Sequence, residues 1–240
     1  MMKAFALTDV GKNRVTNQDY VYFSADAVGN LPNVFIVADG MGGHKAGDVA
    51  SVTAVDSVLT SIRESTKTDV ISIIEEAITR ANDTLFNKAK NNTEWEGMGT
   101  TLVLATVTDN VVYVANVGDS RLYFLDDDIH QITRDHSFVE EMVSIGEINK
   151  SEARTHAKKN IITRAIGVER KTNADFFEVE FSQGDRILMC SDGLTNMVED
   201  EEIQNIIRSS DNLENAVHKL IDTANENGGK DNIAVLVVEL

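Results

Sequence analysis

The sequence predicts an α+β fold built in layers, with helix pairs covering a strand-rich centre. Three observations lead there. Helical periodicity is confined to one early pair and one late pair of segments, and does not alternate with strands as a doubly wound parallel sheet requires. Short apolar runs follow one another across tight polar turns in the middle of the chain, which implies antiparallel pairing. Several of those runs meet an aspartate at one end.

Taken in order, KAFALT (residues 3–8) alternates as a strand and leads into a polar loop holding Arg14, Gln18 and Asp19. Residues 20–24 form a second strand, and residues 33–38 a third that stops at Asp39. From Ala46 to Glu64 apolar residues recur at Ala50, Ala54, Val58 and Ile62, which is helical spacing. A second helix spans about residues 69–90, with Ile71, Ile74, Ile78, Ala81 and Leu85 on one stripe; the short link STKT predicts that the two lie antiparallel. Strands are then predicted over 100–107, 111–117, 121–125 and 129–132, with Asp109-Asn110 as a tight turn. The run Asp126-Asp127-Asp128 reads as a solvated hairpin turn, since it lacks the further ligands of a calcium loop. Residues 136–160 are polar and short-helical, and carry a basic cluster, Arg154, His156, Lys158 and Lys159, in an otherwise acidic chain. That cluster reads either as a solvated helix face or as a mobile segment that guides an anionic substrate. Strands return at 176–181 and 186–191, helices near 201–208 and 213–226, and a last strand at 232–240.

Composition narrows the function. The chain has 240 residues, 42% of them apolar, with 22 basic and 39 acidic side chains and a formal net charge of −17. One sizeable domain with its own core is expected. The acidic balance argues against nucleic acid and against an anionic membrane surface, both of which need clustered Lys and Arg. The single cysteine, Cys190, has no internal disulfide partner, and the N-terminus lacks a signal-peptide pattern, so a cytoplasmic location is expected. No apolar run approaches the ~20 residues of a membrane helix, and no internal repeat or low-complexity tract is present.

The chemistry is concentrated in VFIVADGMGGHKAG (residues 34–47), where a buried strand runs into Asp39, a loop nearly without side chains, and a helix start. The Asp39 carboxylate and the Gly40 carbonyl are hard oxygen donors of the kind magnesium and manganese prefer. Alone, the stretch reads equally well as a connection that happens to use Asp and Gly. The same arrangement recurs: VVYVANVG runs into Asp119, RILMCS into Asp192, and the last strand is entered from Asp231. Gathered at one rim, four such carboxylates repel one another unless divalent cations intervene. Turn chemistry accounts for one or two such sites but not for four. Phosphate-binding G-x-x-x-x-G-K-[ST] and dinucleotide G-x-G-x-x-G loops are absent, as is any zinc spacing of Cys and His. Cys190 lies within an apolar strand with no arginine a few residues beyond it, which argues against a cysteine nucleophile.

RVTNQD (14–19), VADGMGGHKAG (37–47), GMGTT (97–101), NVGDSR (116–121), DHS (135–137), NIITRAIG (160–167), SDGL (191–194) and KDN (230–232) occur in the order found in metal-dependent protein phosphatases of type 2C, the PPM family. The chain resembles the compact bacterial form over essentially its whole length. The resemblance implies a four-layer α–β–β–α sandwich of two antiparallel sheets flanked by helix pairs, one domain over residues 1–240, with a flap subdomain at about 137–160. It implies that Asp39 bridges two Mn2+ or Mg2+ ions, that Gly40 contributes its carbonyl, that Asp192 and Asp231 complete the binuclear site, and that Asp119 with Asp192 holds a third ion. It further implies that metal-activated water attacks phosphorus, that Arg14 grips the phosphate, and that His44 protonates the departing serine or threonine oxygen. Asp19 is expected either to support the ligands or to add a metal contact, Asn232 and Thr100 to shape the site without being ligands, and Arg154, His156, Lys158 and Lys159 of the flap to help choose substrates. Many members have Glu where this chain has Gln18, so Gln18 is not expected to be a ligand. The expected partners are phosphorylated proteins and a Ser/Thr kinase that the enzyme opposes, and nothing points to an obligate oligomer. The alternatives are a non-catalytic phosphoprotein-binding scaffold, disfavoured because the metal aspartates are all present, and a phosphatase dedicated to one small molecule or regulator protein.

Overall fold

The computed structural model describes residues 2–42 and 46–240. In chain order the strands are β1 (Lys3–Asp9), β2 (Asp19–Ser24), β3 (Val34–Met41), β4 (Gly99–Thr100), β5 (Leu102–Thr108), β6 (Val111–Val117), β7 (Arg121–Leu125), β8 (Ile129–Gln131), β9 (Asp175–Glu180), β10 (Arg186–Cys190) and β11 (Ile233–Glu239). The helices are α1 (Gly47–Glu64), α2 (Val70–Lys90), α3 (Phe138–Ser144), α4 (Lys150–Thr155), α5 (Asp192–Thr195), α6 (Asp200–Ser209) and α7 (Leu213–Glu226). One sheet runs β1-β11-β10-β7-β8. The other runs β2-β3-β5-β6-β9, with β4 also on β3. Every strand pairing is antiparallel.

The four layers follow from the period-2 alternation of strands that are apolar on both faces. On β3, Val34, Ile36 and Ala38 face α1 and α2, while Phe35 and Val37 face the other sheet. On β11, Ile233, Val235 and Val237 pack toward α6 and α7, while Ala234, Leu236 and Val238 meet Phe35 and Val37 in the middle layer. Among the described residues there are therefore three stacked cores, one between the sheets and one beneath each helix pair. Cys190 is buried in the core under α6 and α7, where burial pushes its thiol far above the ordinary range, as expected of an inert core residue.

Local chemistry fixes the ends of the elements. The Asp69 side chain accepts from Ser72 N at 2.8 Å and so caps α2. Asn149 and Glu152 form a reciprocal capping box on α4. Asp109 and Asn110 take φ values of 50° and 61°, the two left-handed residues of a tight β5–β6 hairpin. The Asp126–Asp128 run is the exposed β7–β8 turn, closed by Asp128 N donating to Asp126 Oδ1.

Two strand boundaries and one connection differ from the sequence reading in ways that shape the rim of the sheets. The strand expected to stop before Asp39 continues through Asp39 and Gly40 to Met41, because β2 and β4 supply backbone partners on either side: Asp39 stands opposite Asp19, and Gly40 opposite Thr100. The strand expected over 100–107 is divided into β4 and β5 at Thr101, whose N–H turns to the Asp39 carbonyl. Although β6 and β7 are neighbours in sequence, they lie in different sheets, and Gly118-Asp119-Ser120 carries the chain across. Among the described residues no helix is long and apolar enough to cross a membrane.

Candidate metal centre at the rim of the sheets

Antiparallel alternation brings the ends of β3 and β6 to the same edge as the start of β2, and the same holds for the end of β10 and the start of β11. Asp19, Asp39, Asp119, Asp192 and Asp231 meet at that edge. Asp39 is subject to the charges of all four others. Asp19 and Asp119 are buried, whereas Asp39, Asp192 and Asp231 are half-buried. Removal from water, then mutual repulsion, raises the affinity of Asp19, Asp39, Asp119 and Asp192 for protons. Asp19 is pushed up to about 7 by burial, against the lowering effect of a Ser191 hydrogen bond, with Asp192 and Asp231 adding to the rise. Burial and the neighbouring Asp231 bring Asp192 to about 6, although Lys159 and Arg121 oppose the shift. Asp39 and Asp119 are also held well above the ordinary carboxylate range, chiefly by burial.

Small side chains hold the cluster in place. Thr101 Oγ1 accepts from Asp39 N at 2.9 Å and pairs with Ser120 Oγ at 2.7 Å, while Thr100 Oγ1 lies 2.9 Å from the Asp39 carbonyl. Ser191 Oγ donates to Asp19 Oδ2 at 2.6 Å and accepts from Ala234 N at 2.9 Å, which joins the two sheets beneath the site. Asn232 accepts from Gln18 N at 2.9 Å and donates to the carbonyls of Val10 and Thr16, so it anchors the loop that carries Arg14. The Arg14 guanidinium donates to Asp231 Oδ2 at 2.8 Å. His136 Nδ1 accepts from Gly118 N at 3.0 Å, which sets the turn into Asp119. A Cβ at Gly40 would lie 1.9 Å from the Gly47 carbonyl, and one at Gly193 would lie 1.8 Å from that of Asn232, so both rims need glycine for close approach. The Gln18 side chain lies against Gly47 at the start of α1.

These residues fit a hard divalent cation. The donors are all oxygen. Among the described residues, Asp19 Oδ1, Asp119 Oδ1 and Asp192 Oδ1 are buried with no hydrogen-bond partner, an arrangement a cation would satisfy. Also among them, no three Asp, Glu, His or Cys close into a ready-made cage.

The structure therefore brings together Asp39, Gly40, Asp119, Asp192, Asp231, Arg14, Asp19, Asn232 and Thr100, as the sequence reading grouped them. His44 lies outside the described residues. The basic cluster of residues 154–159 divides. Arg154 donates to the Thr195 carbonyl at 3.1 Å and pairs with Glu199 at 2.8 Å, and Lys159 donates to Asn196 Oδ1 at 2.7 Å, so both turn inward to α5. Lys158 lies over the Phe138 ring, and His156 is tilted against the same ring. The sequence reading missed Thr101, Ser120, His136, Ser191 and Asn196 as supports. Most of them lie inside the quoted blocks, beside the residues they hold.

The comparisons agree with this geometry. The protein phosphatase 2C family description matches residues 11–236. The serine/threonine phosphatase stp of Listeria monocytogenes serovar 1/2a is 43% identical over 245 residues, covering 99% of this chain and 96% of that one. The crystal structure of serine/threonine phosphatase Stp1 from Staphylococcus aureus superposes with a TM-score of 0.93 at 35% identity, covering 100% of this chain and 95% of the other. The catalytic domain of the serine/threonine protein phosphatase PstP, solved in complex with two manganese ions, superposes with a TM-score of 0.87 at 33% identity over 99% and 97% of the two chains. With its two antiparallel sheets, flanking helices and rim of aspartates, this chain belongs to the protein phosphatase 2C family of metal-dependent protein phosphatases.

Proposed function

We propose that this chain hydrolyses phosphoserine and phosphothreonine in proteins, with Mn2+ or Mg2+ held by Asp39, the Gly40 carbonyl, Asp192 and Asp231 as two core ions, and a third at Asp119 with Asp192. The observation that carries the reading is the crowding of five aspartates, three of which, Asp19, Asp119 and Asp192, have a buried oxygen with no partner among the described residues. When bound, the ions neutralise that charge, draw electron density from the phosphate and acidify water toward hydroxide. The residues of the chain do the rest. Thr100 and Thr101 fix the end of β3, so the Asp39 carboxylate keeps its aim. Asp19, clamped by Ser191, supports Asp39 from the adjacent strand. Arg14, tethered through Asn232, presents a planar fork of donors suited to phosphate oxygens. His44 is assigned the proton for the departing alkoxide on the strength of the motif it stands in.

We also infer a single domain with a flap over residues 137–160. Of its basic residues, Arg154 and Lys159 are engaged with α5 and its C-cap, whereas exposed Lys158 and half-buried His156, which rest against Phe138, are the ones we assign to substrate contact. The partners are phosphoproteins and an opposing Ser/Thr kinase, the location is the cytoplasm, and the chain acts as a monomer. The scaffold reading is disfavoured because Asp39, Asp119, Asp192 and Asp231 are all present. The test is phosphate release by purified protein with manganese from unrelated phosphothreonine, phosphoserine and phosphotyrosine peptides. Release from the first two classes and not the third is expected. Activity confined to a single substrate would favour a dedicated regulator, and binding without release would favour a scaffold.

A further inference from the structure

Asp192 is held by a relay that begins in the flap. Lys159 Nζ donates to Asn196 Oδ1 at 2.7 Å, and Asn196 Nδ2 donates to Asp192 Oδ2 at 2.8 Å. An ammonium group has only donors to offer, so Lys159 must meet the amide oxygen, which leaves the amide nitrogen turned to Asp192. One carboxylate oxygen is then occupied. The other, Oδ1, is buried and without a partner among the described residues. Arg154, from the same segment, donates to the Thr195 carbonyl at 3.1 Å and thereby ties the flap to α5 a second time.

We propose that Asn196 is a positioning residue for the metal centre and that Lys159 seats it, so that the flap sets the affinity of the site for its cation. The inference rests on the reading of Asp192 as a metal ligand. Supports of this kind typically change metal affinity by about 10–100-fold when removed. The relay makes a prediction that charge alone does not. Deleting a lysine beside a cation site removes repulsion and should tighten binding; if Lys159 acts by seating Asn196, deleting it should weaken binding.

The experiment is a calorimetric titration of Mn2+ into the chelator-stripped chain. It compares the wild type with Asn196→Ala, Lys159→Met, the double variant and Lys158→Met, and records the metal-free thermal midpoint of each. Asn196→Ala is expected to weaken binding by about 10–100-fold, and Lys159→Met to do so near the lower end of that range. The double variant should be no weaker than Asn196→Ala, because residues in one network are not additive. Lys158→Met removes the same charge from the flap without touching Asn196, and should leave the affinity unchanged. Unchanged or tighter binding by Lys159→Met overturns the proposal, as does an additive double variant. Should Asn196→Ala fail to fold, Lys159→Met decides the matter alone. A wild type that binds no Mn2+ would instead remove the metal reading, and this inference with it.

Discussion

The clamp beneath the site gives a stability prediction that needs no metal. Ser191 is 1% exposed, and its hydroxyl serves two buried groups at once, the Asp19 carboxylate on one sheet and the Ala234 N–H on the other. Ser191→Ala leaves both unpartnered, and Asp19 Oδ1 already has no partner among the described residues. A stranded buried polar group costs about 1–3 kcal/mol. Two such groups would cost about 2–6 kcal/mol, and the lower half applies because Asp19, already at about 7, takes up a proton more readily once its lowering bond is lost. For a chain of this size about 3 kcal/mol corresponds to a fall of about 6–12 °C in the thermal midpoint. The assay is thermal unfolding in chelator, with two-state behaviour checked by a second probe. A shift below about 2 °C would refute the view that Ser191 bridges the sheets.

Two further outcomes follow from the charges. Arg14→Ala breaks an ion pair whose side chains are 49% and 34% exposed, so the metal-free midpoint should barely move; kcat/KM for a phosphopeptide should fall about 10–100-fold, the equivalent of one charge-assisted hydrogen bond to the phosphate. Thermal scans across pH test the carboxylate cluster. Asp19 and Asp192 stand at about 7 and about 6 in the folded chain, against an ordinary value of 3.8. Because the folded pKa is raised, the native state binds more protons than the unfolded state between those values, and stability falls as pH rises through that window. The chelated protein should therefore melt higher at about pH 5.5 than at about pH 8, and saturating Mn2+, which displaces those protons, should remove or reverse the difference.

Much of this was legible in the sequence because aspartates at strand ends announce themselves twice, by interrupting apolar runs and by repeating. The helix pairs were equally plain from their apolar stripes. Other features were hidden for physical reasons. Asp39 and Gly40 have poor strand propensity, yet they remain in β3 because Asp19 and Thr100 pair with them, and those partners are distant in sequence. The four-residue α5 is too short to show periodicity. The crossing of Gly118-Asp119-Ser120 between sheets looks like a hairpin turn until β7 is seen to pair with β10. Ser191, Thr101 and Asn196 are ordinary polar residues whose importance comes from what faces them in the fold. The basic cluster showed its charge but not its direction, and two of its members turn inward to α5.

In the proposed reaction a cation held at Asp39 drives phosphate release. The most direct measurement is hydrolysis of a phosphothreonine peptide by the purified chain, with manganese and with chelator, beside an Asp39→Asn variant whose fold is verified. Release that requires manganese and is abolished in the variant is the predicted result. Release that persists in chelator, or at undiminished rate in Asp39→Asn, would contradict it.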